Sequence, residues 1–401
     1  MLDELLVQQV QRRLEAHALP LVVELWDGQE LGESGTARVR VKLHRPASLK
    51  ALAHPSLGAL ARAYVEGDLD LEGDVRDILA LGDSLCNAGG CIARTGSDGW
   101  KWWRHSRSED RKNIQYHYDV SNDFYGLWLD ARRAYSCAYF RTPDMSLDDA
   151  QEAKFDHVCR KLDLKPGEHF LDIGCGWGGL MLHAAARYGV QAVGVTLSED
   201  QHAYVSRQID ALGLSGKVEV RRMDYRDVSE VGGFDKIASV GMFEHVGRRN
   251  LAAYFSTIAT LLKPGGLVLN HGITAAAPTA SGLGSGIAEF IDDYVFPGGE
   301  LVHVSEAMRV SSGSGLECLD AENLRPHYGQ TLWHWVTRLE ARSDEARRLV
   351  GEQKYRIWRI YMAGSAYAFD HGWMELWQVL AGKAIDGKQP NYPFSREYQY
   401  R

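Results

Sequence analysis

The stretch Phe170-Leu171-Asp172-Ile173-Gly174-Cys175-Gly176-Trp177-Gly178-Gly179 joins an apolar run, one acidic residue and glycines at alternate positions. Glycine has no Cβ, so its turn can take positive φ and bring backbone N–H groups close to a ligand. The apolar run predicts a strand, the glycines a turn and the residues after them a helix. Val190 to Leu197 predicts a second strand, which completes a βαβ unit for a nucleotide-like cofactor. A dinucleotide site expects GxGxxG and a carboxylate at the end of the second strand. Here the pattern is GxGxGG, and the second strand ends Gly194-Val195-Thr196-Leu197 with no carboxylate. That disfavours NAD. The acid ahead of the glycines, the Asp224-Tyr225 pair and the Lys263-Pro264-Gly265-Gly266 turn fit S-adenosylmethionine better. On that reading the glycines pass the methionine part, Thr196 and Gln201 sit at the ribose and Tyr225 lies against the adenine. Thr196 and Gln201 are also suited to capping the next helix, where Ser198 is a natural N-cap.

These residues need a frame, and the pattern around them supplies one. A helix at 147–162 leads to the strand at 169–173, then a helix at 178–188, a strand at 190–196 and a helix at 198–212. Strands at 217–222 and 234–240, a helix at 250–262 and a strand at 267–270 follow. The β-α-β order predicts a doubly wound, mostly parallel Rossmann-like sheet, an α/β fold with ligands at the strand C-terminal ends. Ahead of it, a helix at 2–17, strands at 21–25 and 37–43 and helices near 57–65 and 75–86 predict a small N-terminal α+β domain. The expected division is 1–90 for an accessory, lipid-binding domain, 91–112 for a linker and basic-aromatic segment, and 113–401 for the catalytic domain. Residues 281–300 read as an irregular Gly-rich lid. The tail from 323 to 380 reads as helical and aromatic.

Composition narrows the class. The chain has 401 residues, is 45% hydrophobic and carries a net charge of −8, which argues against general nucleic-acid binding. Six cysteines form no CxxC pair and no zinc spacing, so no metal is expected and a reduced, cytoplasmic protein fits best. The first 20 residues lack a basic-then-apolar signal pattern, and no apolar run approaches a membrane span. Three tryptophans among bases in 100–112 suit either an anionic lipid surface or packing between domains. Glu244 and His245 are adjacent and so diverge on a helix, which makes a metal pair a weak reading.

The segments Gln115-Tyr116-His117-Tyr118-Asp119-Val120, Tyr135-Ser136-Cys137-Ala138-Tyr139-Phe140, the glycine loop, Gly241-Met242-Phe243-Glu244-His245-Val246-Gly247, Asn270-His271-Gly272-Ile273, Tyr294 to Gly299 and His327-Tyr328 together resemble the cyclopropane-fatty-acid synthases. The resemblance covers about residues 110 to 380. It implies a S-adenosylmethionine-dependent C-methyltransferase that methylenates the cis double bond of an unsaturated phospholipid acyl chain. It implies a bicarbonate ion held by Cys137, Glu244, His271, Ile273 and Tyr328. It extends the cofactor contacts to Tyr135, Ser136, Asp172, Gly174, Cys175, Gly176, Trp177, Gly178, Thr196, Leu197, Gln201, Tyr225 and Arg226. It further implies peripheral association with the inner face of a membrane, and it leaves a homodimer open. Many members have a late-helix cysteine where this chain has Ser365. His117 suits either a structural or a site role.

An alkene is a weak nucleophile, and a sulfonium methyl is an electrophile strong enough for it. The resulting carbocation needs shielding from water, and the late aromatic residues offer ring faces and an apolar slot. Ring closure needs a base beside the cation. A related enzyme making methyl-branched or methylene fatty acids would share every motif. A non-catalytic lipid-binding protein would not need the intact site.

Overall fold

The computed structural model describes residues 2–16, 19–33, 35–87, 121–278, 286–296, 299–388, 390 and 392–400. The linker, the basic-aromatic segment, His117 and the 115–120 motif lie outside the described residues. The chain divides into two compact units. One comprises Met1–Trp100, Ser281–Pro297 and Val336–Ala368; the other comprises Lys101–Ala280, Gly298–Trp335 and Phe369–Arg401.

The first unit holds a four-stranded sheet in the order β2-β1-β3-β4, with β1 Leu21–Glu24, β2 Glu30–Leu31, β3 Val39–Leu43 and β4 Leu69–Glu72. Strand β3 alternates buried and half-buried residues, as its VRVKL pattern requires. Helices Leu2–Ala16, Leu57–Val65 and Val75–Asn87 are as the periodicity predicts. The Gly-rich insertion contains a helix, Ile287–Tyr294, which replaces the irregular segment expected there. It meets helix Leu57–Val65 where Gly58 and Gly286 touch so closely that a Cβ on Gly58 would strike backbone. Arg62 pairs with Asp293 at 2.7 Å, and the Tyr294 hydroxyl donates to Glu66 at 2.7 Å.

The second unit is built on a seven-stranded sheet, β10-β11-β9-β8-β5-β6-β7. Its strands are β5 His169–Ile173, β6 Gln191–Thr196, β7 Val218–Arg222, β8 Phe234–Val240, β9 Leu262–Ala275, β10 Leu316–Asn323 and β11 Met374–Lys383. Strands β7, β6, β5, β8 and β9 run parallel, while β11 and β10 add an antiparallel edge. The chain leaves β5 in one direction and returns on its other side with β8, which places a ligand crevice at the C-terminal ends beside β5. Two expectations are corrected here. Residues 374–380 are strand rather than helix, because MELWQVL pairs along its whole length with β9. Strand β9 begins at Leu262, and the Pro-Gly-Gly turn is a register shift within it, opposite Phe234 and Lys236.

The sheet faces are apolar and closed. Phe155, Phe170, Met181 and Val205 pack on one side, and Tyr254, Phe255, Ile258 and Val268 on the other. Gly194 in β6 sits where any Cβ would overlap Met181 Sδ and come within 2.9 Å of Cys175. Gly194→Ala should therefore lower unfolding free energy by about 1–3 kcal/mol, an overpacking cost measurable by urea denaturation. A change below a few tenths of a kcal/mol would show that the loop yields freely.

Candidate active site

The loop after β5 holds Gly174, Gly176 and Gly178 at φ of +77°, +55° and +82°. The amides of Gly174 and Cys175 donate to Val195 O at 3.1 and 3.0 Å, which fastens the loop to β6. Two adjoining cavities open here. One is lined by Thr196, Leu197, Gln201, Tyr225 and Arg226, the other by Tyr135, Ser136, Asp172, Cys175 and Trp177; Gly174 and Gly176 line both. Gly178 lines neither and instead forms the N-cap turn of helix Gly179–Tyr188.

In the first cavity, Ser198 caps the following helix by accepting from Gln201 N, and Thr196 Oγ1 donates to Gln201 Oε1 at 2.7 Å. The capping and wall-lining readings of Thr196 and Gln201 are thus compatible. Arg226 is held bidentately on Asp224, with N···O distances of 2.8 and 2.6 Å, and lies 5.6 Å from the Tyr225 ring centroid. Tyr225 meets Tyr254 edge-on, and the Tyr254 hydroxyl donates to Asn270 Oδ1 at 2.7 Å. The second cavity brings Arg133, Lys154 and Asp172 together among aromatic rings, whereas in the first Arg226 and Asp224 neutralise each other beside Tyr225, Gln201 and Asn250. A zwitterionic amino acid joined to a nucleoside fits that division, and these residues are suited to hold S-adenosylmethionine.

Segment 135–140 is fixed by residues the sequence reading missed. Gln151 Nε2 donates to the carbonyls of Ala134 and Ser136 at 3.3 and 2.9 Å, and Lys154 Nζ donates to Ser136 Oγ at 2.8 Å. Both project from helix Leu147–Lys161 and are buried. Burial lowers the Lys154 ammonium to about 8, against the pull of Asp130, Cys137 and Asp172. Burial likewise raises Asp172 to about 7, with Lys154 opposing it. The only sequence signal was two polar residues on the buried face of a helix. Cys137 is fully enclosed, and burial pushes its thiol up, so it stays protonated. Its Sγ lies 3.9 Å from Leu324 O. The Ala138 amide donates to Thr331 Oγ1 at 3.0 Å, tying the segment to helix Arg325–Ala341, which carries Tyr328. Tyr328 packs 4.8 Å from Phe369 and 6.1 Å from Trp335, and Trp335 lies 5.3 Å from Tyr135.

Glu244 lies in the turn of helix after β8, and His271 and Ile273 lie near the end of β9. Ile273 N donates to Glu244 Oε1 at 2.7 Å. The Glu244 residue is partly exposed, yet its Oε2 is buried with no protein partner among the described residues, and burial raises the carboxyl to about 7. His271 Nδ1 lies 3.1 Å from Gln378 Nε2, and its Nε2 is buried and unpartnered among the described residues. In that amide orientation Nε2 carries the proton. Burial, together with Lys154 and Lys161, holds the imidazole well below its usual range and therefore neutral. Lys161 is itself buried beside Glu322 at 2.5 Å; His157 and Lys161 overcome burial to hold that carboxylate at about 2. Lys154 and Lys161 both act on His271, opposed by Glu322, and His271 offers an unused N–H. A small oxyanion such as bicarbonate fits that donor set, provided Glu244 is protonated.

Above its unfolded value the Glu244 pKa is raised, so its ionisation costs stability as pH climbs from about 4.5 towards 7. Glu244→Gln removes that cost. The variant should gain about 1–2 kcal/mol over the wild type at pH 8 and little at pH 4.5, read from paired thermal unfolding curves. Equal differences at both pH values would show that the buried charge is not the cause.

Comparison with known proteins accords with this geometry. Residues 105–379 match the family described as mycolic acid cyclopropane synthetase, and residues 10–84 match a domain of unknown function. The chain is 46% identical over 398 residues to a "Probable fatty acid methyltransferase" of Pseudomonas putida, covering 99% of this chain and 100% of the relative. It is 33% identical over 388 residues to the "Tuberculostearic acid methyltransferase UfaA1" of Mycobacterium tuberculosis, covering 92% and 88%. Among solved structures, mycolic acid cyclopropane synthase CmaA1 complexed with SAH and CTAB superposes with a TM-score of 0.64 at 36% identity, covering 68% of this chain and 98% of that one. The match spans the glycine loop, the 135–140 segment, Glu244 and the His271 strand, and the chain belongs to the mycolic acid cyclopropane synthetase family of S-adenosylmethionine-dependent methyltransferases.

Proposed function

We propose that this protein transfers one carbon from S-adenosylmethionine to the cis double bond of an unsaturated phospholipid acyl chain and closes a cyclopropane ring. The observation that carries the reading is that Glu244 Oε2 and His271 Nε2 are both buried without a protein partner among the described residues, with Glu244 accepting from Ile273 N two residues beyond His271 in β9. Bound S-adenosylmethionine supplies an electrophilic methyl group that the alkene takes up, leaving a carbocation. Bound bicarbonate supplies a small base for the proton whose loss closes the ring. The chain contributes surroundings suited to a cation. Cys137 is protonated and offers no thiolate to trap it. Tyr135, Trp335, Tyr328 and Phe369 present ring faces, which attract positive charge and exclude water. Glu244, His271 and the Ile273 backbone would hold the base, and Cys137 and Tyr328 would border it. Among the described residues no helix is long and apolar enough to cross a membrane; the same reading has the acyl chain taken up at the inner face of the bilayer.

A related reading is a methyl-branched or methylene fatty-acid product, and the full-length likeness to a named fatty acid methyltransferase favours keeping it in view. Purified protein, cofactor and unsaturated phospholipid vesicles distinguish the two by mass spectrometry with ozonolysis. Cyclopropanation adds one CH₂ and removes the ozone-sensitive alkene. An exomethylene product of the same mass that still cleaves would overturn ring formation. Glu244→Gln should lower kcat by about 100-fold while cofactor affinity stays within about twofold, since an amide holds the base without matching its protons. A large loss of cofactor binding would contradict the role given to Glu244.

A further inference from the structure

Two consecutive arginines end the turn before Tyr135, and only one is neutralised. Arg132 is tied to Glu152 at 2.9 Å and to His183 at 3.1 Å. Arg133 has no ion pair among the described residues. Its Nη1 is buried without a hydrogen-bond partner, and the guanidinium lies 4.6 Å from the Tyr204 ring centroid. Arg133 lines the second cavity together with Ser136, Lys154, Asp172 and the glycine loop.

The backbone is arranged to put it there. Arg133 has φ +56°, a left-handed conformation uncommon for a residue with a Cβ. Buried Asp130 enforces it: Oδ2 accepts from Arg132 N at 2.9 Å, Oδ1 from Ala134 N at 2.7 Å, and the Asp130 carbonyl from Arg133 N at 2.9 Å. Backbone outliers over-determined in this way cluster at ligand sites. The other cation in the cavity, Lys154, is engaged by Ser136 and by the fields of Asp130 and Asp172. A guanidinium left unpaired in a cavity that also holds a carboxylate is complementary to a zwitterion: Asp172 for its ammonium, Arg133 for its anion.

We propose that Arg133 receives the α-carboxylate of the bound cofactor, an inference that rests on the S-adenosylmethionine reading. The thioadenosine half of that molecule carries no anion, so the contact is specific to the amino-acid end. The test is calorimetric titration of the full chain with S-adenosylmethionine and with its decarboxylated form, which differ only in the carboxylate. Wild type should bind the carboxylated ligand at least about tenfold more tightly. Arg133→Gln should lose about tenfold for S-adenosylmethionine and under twofold for the decarboxylated ligand, and Arg133→Lys should recover part of the difference. Equal losses for both ligands would assign Arg133 to the shape of the turn and overturn the proposal. So would a wild type with no preference, a result that needs no variant to fold. If wild type binds neither ligand, the cofactor reading itself fails, and the proposal with it.

Discussion

A lysine ammonium with no access to water organises the catalytic unit. Lys154 sits under segment 135–140 and against the end of β5, hydrogen-bonded to Ser136 and balanced by Asp130 and Asp172. A buried charge is tolerated only with partners close by, so each of these groups constrains the others. Removing one leaves an uncompensated charge rather than a gap. The same helix supplies Gln151 to two carbonyls of the segment, so the segment is held by side chains rather than by a strand ladder. This is why a loop without regular structure can present Tyr135, Ser136 and Cys137 in a defined order between the glycine loop and helix Arg325–Ala341.

The electrostatic result is a division of labour along one crevice. In the cavity lined by Tyr225 charge is cancelled locally, Arg226 against Asp224. At the far end two carboxyls, Asp172 and Glu244, are pushed up to about 7, and the nearby imidazole is pushed into its neutral form. Burial is the largest cause of each shift and favours the neutral form in all three; strongly perturbed groups of this kind cluster at functional sites. Lys161 extends the arrangement outwards through Glu322 and His157, with Tyr139 stacked between His157 and His327 at 4.2 and 5.0 Å.

Much of this was legible in the sequence where the signal is local. Glycine spacing, apolar runs and capping serines placed β5, β6, β8 and their helices within a residue or two, because each is specified by neighbours in the chain. The partners that fix the site were not legible. Nothing local marks Lys154 or Gln151 as bonded to residues 15 to 18 positions away, and a lysine in a helix reads as solvated. Strand β11 was missed for a related reason: its apolar, aromatic run follows a long aromatic helix, and only pairing with β9 makes it extended. Arg132 and Arg133 are indistinguishable as letters, and the turn built by Asp130 separates their fates.

The late aromatic helix shows how far a one-dimensional reading can merge distinct structures. Trp358, Tyr361 and Tyr367 read as one array with Trp335 and Phe369. They belong instead to the compact unit that contains the N-terminal sheet, where Tyr361 packs 5.7 Å from Phe296 and the Tyr367 hydroxyl donates to Asp83 at 3.0 Å. Arg356 donates to the carbonyls of Tyr64 and Leu69 and pairs with Asp70 at 2.6 Å, while Arg359 bridges Glu340 and the Tyr64 hydroxyl. The N-terminal sequence therefore completes its core with segments from beyond residue 280, one of them the insertion that begins just after β9. Those arginines are buried or half-buried, and without the N-terminal residues Arg356 would keep Glu352 and Arg359 would keep Glu340 while their other hydrogen bonds were lost. The N-terminal residues thus supply hydrogen-bond partners to the later helices. Ser365 is buried within this same unit, on the helix kinked at Gly351.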